Sequence, residues 1–207
     1  MILDLAAALS LAQACAPQVA TETLLAIVQV ESGFDTLAIG VNGGSRPGAR
    51  PSSAHQAARE AERLLRAGAN LDLGLGQINS RNLAWLDLSI EDAFDPCRNL
   101  AAAGRVLTLN YRRTSRETGH GQTALSQALS LYNTGDQVRG QHNGYVAKVR
   151  AAARAMAPSL TQTLGAPSTA NVPSHDVFSG AASLALVFIT PDQRETSSLA
   201  LPEGAGR

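Results

Sequence analysis

The sequence predicts a fold that is all-α or mostly α. Its composition is 44% hydrophobic but only 4% aromatic, and alanine and leucine dominate it, which suits packed helices better than a strand-rich sandwich. Along residues 1–157, apolar residues recur with helical periodicity in segments separated by short clusters of Gly, Pro, Asn and Ser. The length of 207 residues allows one domain of this kind with a tail.

The periodic segments predict the helices in chain order. We expect them over residues 3–14, 22–32, 54–67, 81–86, 96–114, 123–132 and 144–156. Thr21 and Ser53 stand where side chains cap the start of a helix, and Gly68 stands where a helix ends. Ser89 and Asp92 have the spacing of a reciprocal cap.

The composition changes near Ala157. Residues 158–207 contain five of the nine prolines, among Ser, Thr, Ala and Gly, and have little with which to build a core. We therefore expect a helical domain over residues 1–157 and a flexible Pro/Ser-rich tail over residues 158–207. Residues 184–189 are prone to form a strand, so they are either an incidental apolar patch or a segment that adds to a partner.

Charge and hydropathy exclude several classes of function. Seventeen basic residues balance seventeen acidic ones, so no net charge favours binding to nucleic acid or to an anionic membrane. No apolar run approaches the roughly 20 residues of a membrane-spanning helix. Residues 1–17 are apolar but contain no basic residue, and we expect a helix there rather than a signal peptide. The histidines share no metal-ligand spacing with a cysteine or an acid, so no metal site is predicted.

The most informative residue is an acid at the end of the second predicted helix. Leu24, Ile27 and Val28 form an apolar stripe, and Glu31 takes its next position. Partial burial disfavours the charged form, and we expect Gly33 to end the helix, so that the carboxyl group meets the negative end of the helix dipole. Both effects raise the pKa, and a glutamic acid protonated near neutral pH can act as the general acid of a glycosidase. The alternative is that Glu31 lies at the rim of the stripe with its carboxylate in water.

Glu31 opens the first of four motifs that follow one another along the chain. They are E-S-G-F at residues 31–34, G-L-G-Q-I-N at 74–79, L-Y-N-T-G at 131–135 and N-G-Y-V at 143–146. In this order they resemble the transglycosylase domain of lytic transglycosylases, and most closely the branch that accompanies type IV secretion systems. The resemblance covers residues 12–155 and implies a lysozyme-like helical fold with a cleft.

The resemblance also implies a peptidoglycan-cleaving enzyme with one catalytic residue, Glu31, and no metal or organic cofactor. Glu31 would protonate the oxygen of the β-1,4 bond between N-acetylmuramic acid and N-acetylglucosamine, and then take a proton from the muramic 6-hydroxyl to close a 1,6-anhydro ring. Such an enzyme opens the periplasmic cell wall for a secretion or conjugation apparatus, whose subunits are candidate partners of the tail. A non-catalytic peptidoglycan-binding scaffold and a lysozyme-type hydrolase are the alternatives.

Hydrolysis by paired carboxylates would require a second acid across the scissile bond. Asp35 follows the glycine that ends the helix and is interpreted as a turn residue. Asp72 precedes the glycine-rich motif and is either an acid of the cleft or a solvated acid of a loop.

The glycine-rich motif supplies expected substrate contacts. Gln77 and Asn79 carry amide groups that can pair with sugar hydroxyls and acetamides, and Gly74 and Gly76 let the backbone pass close to a sugar chain. Asn79 has an alternative role as a helix cap. Ser32 belongs to the first motif and is expected at the substrate by the resemblance alone.

Two tyrosines complete the expected site. By resemblance, Tyr132 contacts Glu31 and orients it, while Asn133 supports the loop. Tyr145 is expected to contact sugar, although a tyrosine beside Val146 is also typical of an ordinary core.

The chain has two cysteines, Cys15 and Cys97. Composition alone leaves open whether they form a disulfide or are two small buried side chains. The segments around both resemble the secretion-associated branch, in which a bridge between them ties the first helix to the body of the domain. A disulfide would require an oxidising compartment such as the periplasm.

Overall fold

Helices and a small sheet make up the part of the chain that the computed structural model describes, residues 1–43 and 49–164. The helices are α1 (Leu5–Cys15), α2 (Thr21–Glu31), α3 (Ala54–Arg66), α4 (Leu83–Leu86), α5 (Pro96–Thr118), α6 (Gln122–Thr134), α7 (Arg139–His142) and α8 (Tyr145–Leu164). The strands β1 (Ile39–Asn42), β2 (Asn70–Leu73) and β3 (Ile78–Asn79) form an antiparallel sheet in the order β1-β2-β3. The prediction of a mostly α fold is confirmed.

Helix α2 runs through the hydrophobic core. Residues 24–28 are each at most 1% exposed, so this helix is buried on every side along its middle. Each large aliphatic side chain buried in this way contributes about 1.5–3 kcal/mol to folding. Helix α8 packs along α2, and α5 packs against α1 and α6. The last residue of α2, Glu31, is therefore held by a rigid element.

Helix α8 extends beyond its predicted end. The sequence predicts a stop at Met156 because Pro158 follows, but α8 continues to Leu164. Val149, Met156 and Leu160 lie on one face of the helix and are buried in the core, so the apolar stripe continues past the proline. Burial of this stripe outweighs the backbone hydrogen bond that the proline removes.

The structure describes neither residues 44–48 nor residues 165–207. The remainder of the predicted tail and its strand-prone segment 184–189 therefore lie outside the described residues. Within the two described ranges, no helix is both long enough and apolar enough to cross a membrane.

The sequence does not predict the sheet, because its strands are too short to show a period. In β2, Leu71 and Leu73 are fully buried while Asn70 and Asp72 lie on the opposite face. An alternation over so few residues is indistinguishable from a loop. The four-residue helix α7 escapes prediction for the same reason. The sheet nevertheless matters, because its polar face carries residues of the site described below.

Most of the predicted capping positions are confirmed, whereas α5 ends at Thr118, four residues beyond its predicted end. The Ser53 side chain accepts a hydrogen bond from the first turn of α3, and Gly68 follows that helix with a φ of +85°. Ser89 and Asp92 cap each other, since each backbone N–H donates to the other's side chain at 3.0 Å. Thr21 is wrong as a cap, because it is the first helical residue of α2 and the residue before it makes no side-chain hydrogen bond.

The disulfide that the resemblance implies is present in the structure. It joins Cys15, the last residue of α1, to Cys97 in the first turn of α5, with the two Cα atoms 5.3 Å apart. The bonded residues are separated by 82 positions in the sequence. The bridge therefore ties α1 to the body of the domain and closes a long loop.

Candidate active site

Glu31 lies at the C-terminal end of α2, as predicted. The helix ends with it, Ser32 follows at the cap, and Gly33 adopts a left-handed conformation with a φ of +60°. The Ser32 hydroxyl donates to the Val28 carbonyl at 3.2 Å, so this side chain completes the end of the helix. A contact of Ser32 with substrate remains a prediction.

A tyrosine hydroxyl binds the Glu31 carboxyl group. Tyr145, the first residue of α8 and only 6% exposed, donates to Oε1 of Glu31 at 2.6 Å. The preceding loop fixes Tyr145 at the start of its helix. The Tyr145 backbone N–H donates to the side-chain oxygen of Asn143, and the Asn143 amide donates to the side-chain oxygen of Asn133 at 2.9 Å. Asn133 thus supports the loop, as expected, and through it the tyrosine that contacts the acid.

Burial raises the pKa of Glu31 to about 7. The hydrogen bond from Tyr145 opposes this effect, since it stabilises the carboxylate, while the negative charge of Asp72 adds to it. The direction predicted from the sequence is therefore confirmed. A carboxyl group with this pKa is populated both with and without its proton at neutral pH, which is the condition for general acid and base catalysis.

The resemblance predicts that Tyr132 contacts and orients Glu31, but the Tyr132 hydroxyl forms its hydrogen bond elsewhere. The Tyr132 hydroxyl donates to the Gly76 carbonyl at 2.7 Å, and it is Tyr145 that binds the acid. Burial and the nearby charges of Glu31 and Asp72 raise the pKa of Tyr132 well above its usual value, so the ring still lies within the electrostatic reach of the site. Tyr132 positions the glycine-rich turn rather than the acid.

The glycines of that turn make room for the protein's own helices. A Cβ on Gly74 would lie 2.2 Å from the Ala93 carbonyl, and one on Gly76 would lie 2.9 Å from the Tyr132 hydroxyl. The φ of Gly74 is +71°, which a side chain would also disfavour. Contacts within the protein are therefore sufficient by themselves to require glycine at both positions. An approach of sugar to Gly76 remains a prediction.

Asn99, on α5, holds the turn in place, and no motif of the sequence predicts this role. This side chain is 1% exposed; its oxygen accepts from Gly76 N–H at 2.7 Å, and its amide donates to the carbonyls of Leu73 and Ala93 at 2.9 and 2.7 Å. The available signal was an amide residue beside Leu100 on the buried side of a helix. A buried polar side chain of this kind is retained for the backbone groups it satisfies.

Asn99→Leu should lower the free energy of unfolding by about 3 kcal/mol, because it leaves one N–H and two carbonyl groups buried without partners. Urea denaturation followed by circular dichroism measures the change. Asn110→Leu, a half-buried position farther along the same helix, serves as the control and should change stability far less. Equal stability of Asn99→Leu and wild type would contradict the role assigned to Asn99.

Gln77 and Asn79 use much of their hydrogen-bonding capacity inside the protein. The Gln77 amide donates to the Gly74 and Ala38 carbonyls at 2.9 and 3.3 Å, and these bonds fix the side chain. The backbone of Gln77 is left-handed, with a φ of +48°. The Asn79 oxygen accepts from Arg81 N–H, so its alternative role as a cap is confirmed. Contacts of Gln77 and Asn79 with sugar remain predictions.

Comparison with known proteins identifies the family. The family model of the transglycosylase SLT domain matches residues 8–154. The chain belongs to this family. The resemblance found from the four motifs is thereby confirmed, together with the lysozyme-like helical domain that it implies.

Curated relatives of this SLT domain include proteins of type IV secretion. Protein virB1 of Rhizobium radiobacter is 43% identical over 157 residues, which are 73% of this chain and 62% of the relative. Type IV secretion system protein virB1 of Brucella suis biovar 1 is 43% identical over 151 residues, which are 70% of this chain and 63% of the relative. The chain therefore spans less than two thirds of the length of these relatives. No solved structure matches it.

The structure also locates the two acids that the sequence offered as a second carboxylate. Asp35 accepts from Leu37 N–H and forms an ion pair with Arg50, so its interpretation as a turn residue is confirmed. Asp72 lies on β2 rather than in a loop, and its charge acts on Glu31, which favours the interpretation as an acid of the site. The described residues contain no group of three or more His, Cys, Asp or Glu that could hold a metal ion.

Proposed function

We propose that this chain is a peptidoglycan lytic transglycosylase that cleaves the β-1,4 bond between N-acetylmuramic acid and N-acetylglucosamine. The observation that carries the proposal is Glu31, a buried carboxyl group with a pKa of about 7 that is fixed by Tyr145 at the end of a core helix. Membership in the SLT family supports the same reaction class.

Glu31 serves first as an acid and then as a base. Its proton passes to the glycosidic oxygen as the bond from that oxygen to the muramic C1 breaks, and the substrate's own acetamide assists at C1. The resulting carboxylate takes the proton of the muramic 6-hydroxyl, whose oxygen then bonds to C1 and closes the 1,6-anhydro ring. The residue is restored to its protonated form, so the cycle needs no external base.

We further propose that the enzyme acts in the periplasm, where it opens the cell wall for a type IV secretion or conjugation apparatus. The relatives from Brucella are named as type IV secretion system proteins, which supports this setting. The Cys15–Cys97 bridge suits an oxidising compartment. Residues 184–189 are the segment we propose for contact with secretion subunits, and their deletion should weaken that contact without loss of peptidoglycan cleavage.

The products of digestion test the reaction directly. Purified peptidoglycan incubated with the wild-type protein should yield muropeptides with the mass of a 1,6-anhydro end, and Glu31→Gln should form them far more slowly. Products with a reducing end would identify a lysozyme-type hydrolase instead. Binding of peptidoglycan with no product from wild type would identify a non-catalytic scaffold.

Tyr145→Phe should shift the alkaline limb of the pH profile upward. The Tyr145 hydrogen bond lowers the pKa of Glu31, so its removal raises that pKa above about 7, and Glu31 keeps its proton to higher pH. The maximal rate should fall, because the carboxyl group is no longer oriented. Solubilisation of peptidoglycan as a function of pH measures both effects. Tyr111→Phe, which removes a hydroxyl that accepts from Gly121 N–H at the start of α6, is the control, and an unshifted limb in Tyr145→Phe would count against this assignment.

A further inference from the structure

The sheet presents a polar face on the side away from the core, and Asp72 stands at its centre. Asp72 lies on β2 opposite Gly40 of β1 and opposite Asn79 of β3. The neighbouring positions of β2, Leu71 and Leu73, are buried in the core, so Asp72 faces the other way. The central strand thus carries its only acid on the side away from the core.

Both oxygens of Asp72 are fixed by amide groups from the flanking strands. The Asn42 amide donates to Oδ2 at 2.8 Å, and the Asn79 amide donates to Oδ1 at 2.7 Å. Two donors on different oxygens prevent the carboxyl group from rotating. Because amides are uncharged, they hold the group without neutralising it. Asn42 and Asn79 are therefore explained as a cradle for this acid.

The space next to Asp72 is kept free of a side chain. A Cβ on Gly40 would lie 3.5 Å from Asp72 Cβ and 2.7 Å from the Gln77 side-chain oxygen, so a larger residue would displace Gln77. The turn that follows β2 is bound to α6 by the hydrogen bond from the Tyr132 hydroxyl to the Gly76 carbonyl at 2.7 Å, and the charge of Asp72 acts on both Tyr132 and Glu31.

Glu31 and Asp72 have unlike environments. Glu31 is largely buried and accepts one hydrogen bond, from the Tyr145 hydroxyl, whereas Asp72 accepts an amide hydrogen bond on each of its two oxygens. A pair of carboxyl groups whose environments differ in this way can divide the roles of proton donor and electrostatic stabiliser in glycoside cleavage.

We propose that Asp72 is a second catalytic carboxylate: its fixed negative charge stabilises the positive charge that develops at the muramic C1 when Glu31 protonates the glycosidic oxygen. Asp72 forms no bond to the sugar and moves no proton, so the route of the proton through Glu31 is unchanged. This inference rests on the proposed function, because it requires glycosidic cleavage at Glu31.

Asp72→Asn tests the proposal, because it removes the charge and keeps the shape. The turnover rate on peptidoglycan should fall about 100-fold, the scale of losing one preorganised electrostatic contact in an active site. Because the charge of Asp72 raises the pKa of Glu31, the alkaline limb of the pH profile should also move to lower pH, the opposite of Tyr145→Phe. Sedimentation with peptidoglycan should show unchanged binding. A purely structural role would lower stability without moving the limb.

Asp87→Asn is the matched control, since it neutralises an exposed aspartate at the end of α4 and should leave rate and pH profile as in wild type. Should Asp72→Asn fail to fold, Asp72→Ser replaces it, because a hydroxyl can accept an amide N–H. If the wild type cleaves peptidoglycan and Asp72→Asn shows neither a loss of rate nor a shift of the alkaline limb, the role of Asp72 is overturned and the proposed function stands. A wild-type protein that forms no cleavage product would overturn the proposed function and this inference together.

Discussion

Glu31→Gln should lower the rate of peptidoglycan cleavage by about a thousandfold or more, because in the proposed reaction the same group is both the acid and the base. Glutamine has the shape of the acid, and its side-chain oxygen can still accept the hydrogen bond from Tyr145. It has no ionisable proton to give to the glycosidic oxygen. The loss should therefore appear in the turnover rate, with binding to peptidoglycan and thermal stability close to wild type.

Glu22→Gln provides the control for this substitution. Glu22 lies in the first turn of the same helix, at the end away from the site, so its loss of charge should leave the cleavage rate unchanged. Residual activity of Glu31→Gln within about tenfold of wild type would show that another group donates the proton, since a general acid normally contributes more than this.

The double substitution Cys15→Ser and Cys97→Ser should lower the free energy of unfolding by about 4 kcal/mol. In the loop-entropy account, a bridge that closes a loop of this length restricts the unfolded chain by about that amount. Such a loss is a large part of the stability of a small domain. The midpoint of urea denaturation should fall accordingly.

Reduction of the wild-type protein is the matched comparison. A reducing agent should bring the wild-type midpoint down to that of the double variant and should not change the variant itself. Coincident midpoints for oxidised wild type and double variant would contradict the contribution assigned to the bridge.

The helices and the position of the candidate acid could be predicted because both depend on local pattern. Seven of the eight described helices follow an apolar stripe, and Glu31 is visible as the acid that interrupts the stripe of α2. The end of α8 was misplaced because Pro158 is a local signal, whereas the burial of Leu160 is a tertiary one.

The partners within the site could not be predicted from pattern, because they depend on contacts between distant segments. Asn99 is separated from Gly76 and Leu73 by 23 and 26 positions, and its role is to satisfy backbone groups that the sequence does not display. Tyr132 and Tyr145 stand near the end and the start of neighbouring helices, and only the packing of α8 on α2 decides which hydroxyl reaches Glu31.

The most direct test is a titration of the Glu31 side chain itself. The protein labelled with carbon-13 at its glutamate carboxyl groups gives one NMR signal per glutamate, and the signal absent from Glu31→Gln identifies Glu31. We expect this signal to titrate with a midpoint of about 7, because burial disfavours the carboxylate. A midpoint near that of free glutamate, about 4.3, would contradict the claim that Glu31 holds a proton for transfer at neutral pH.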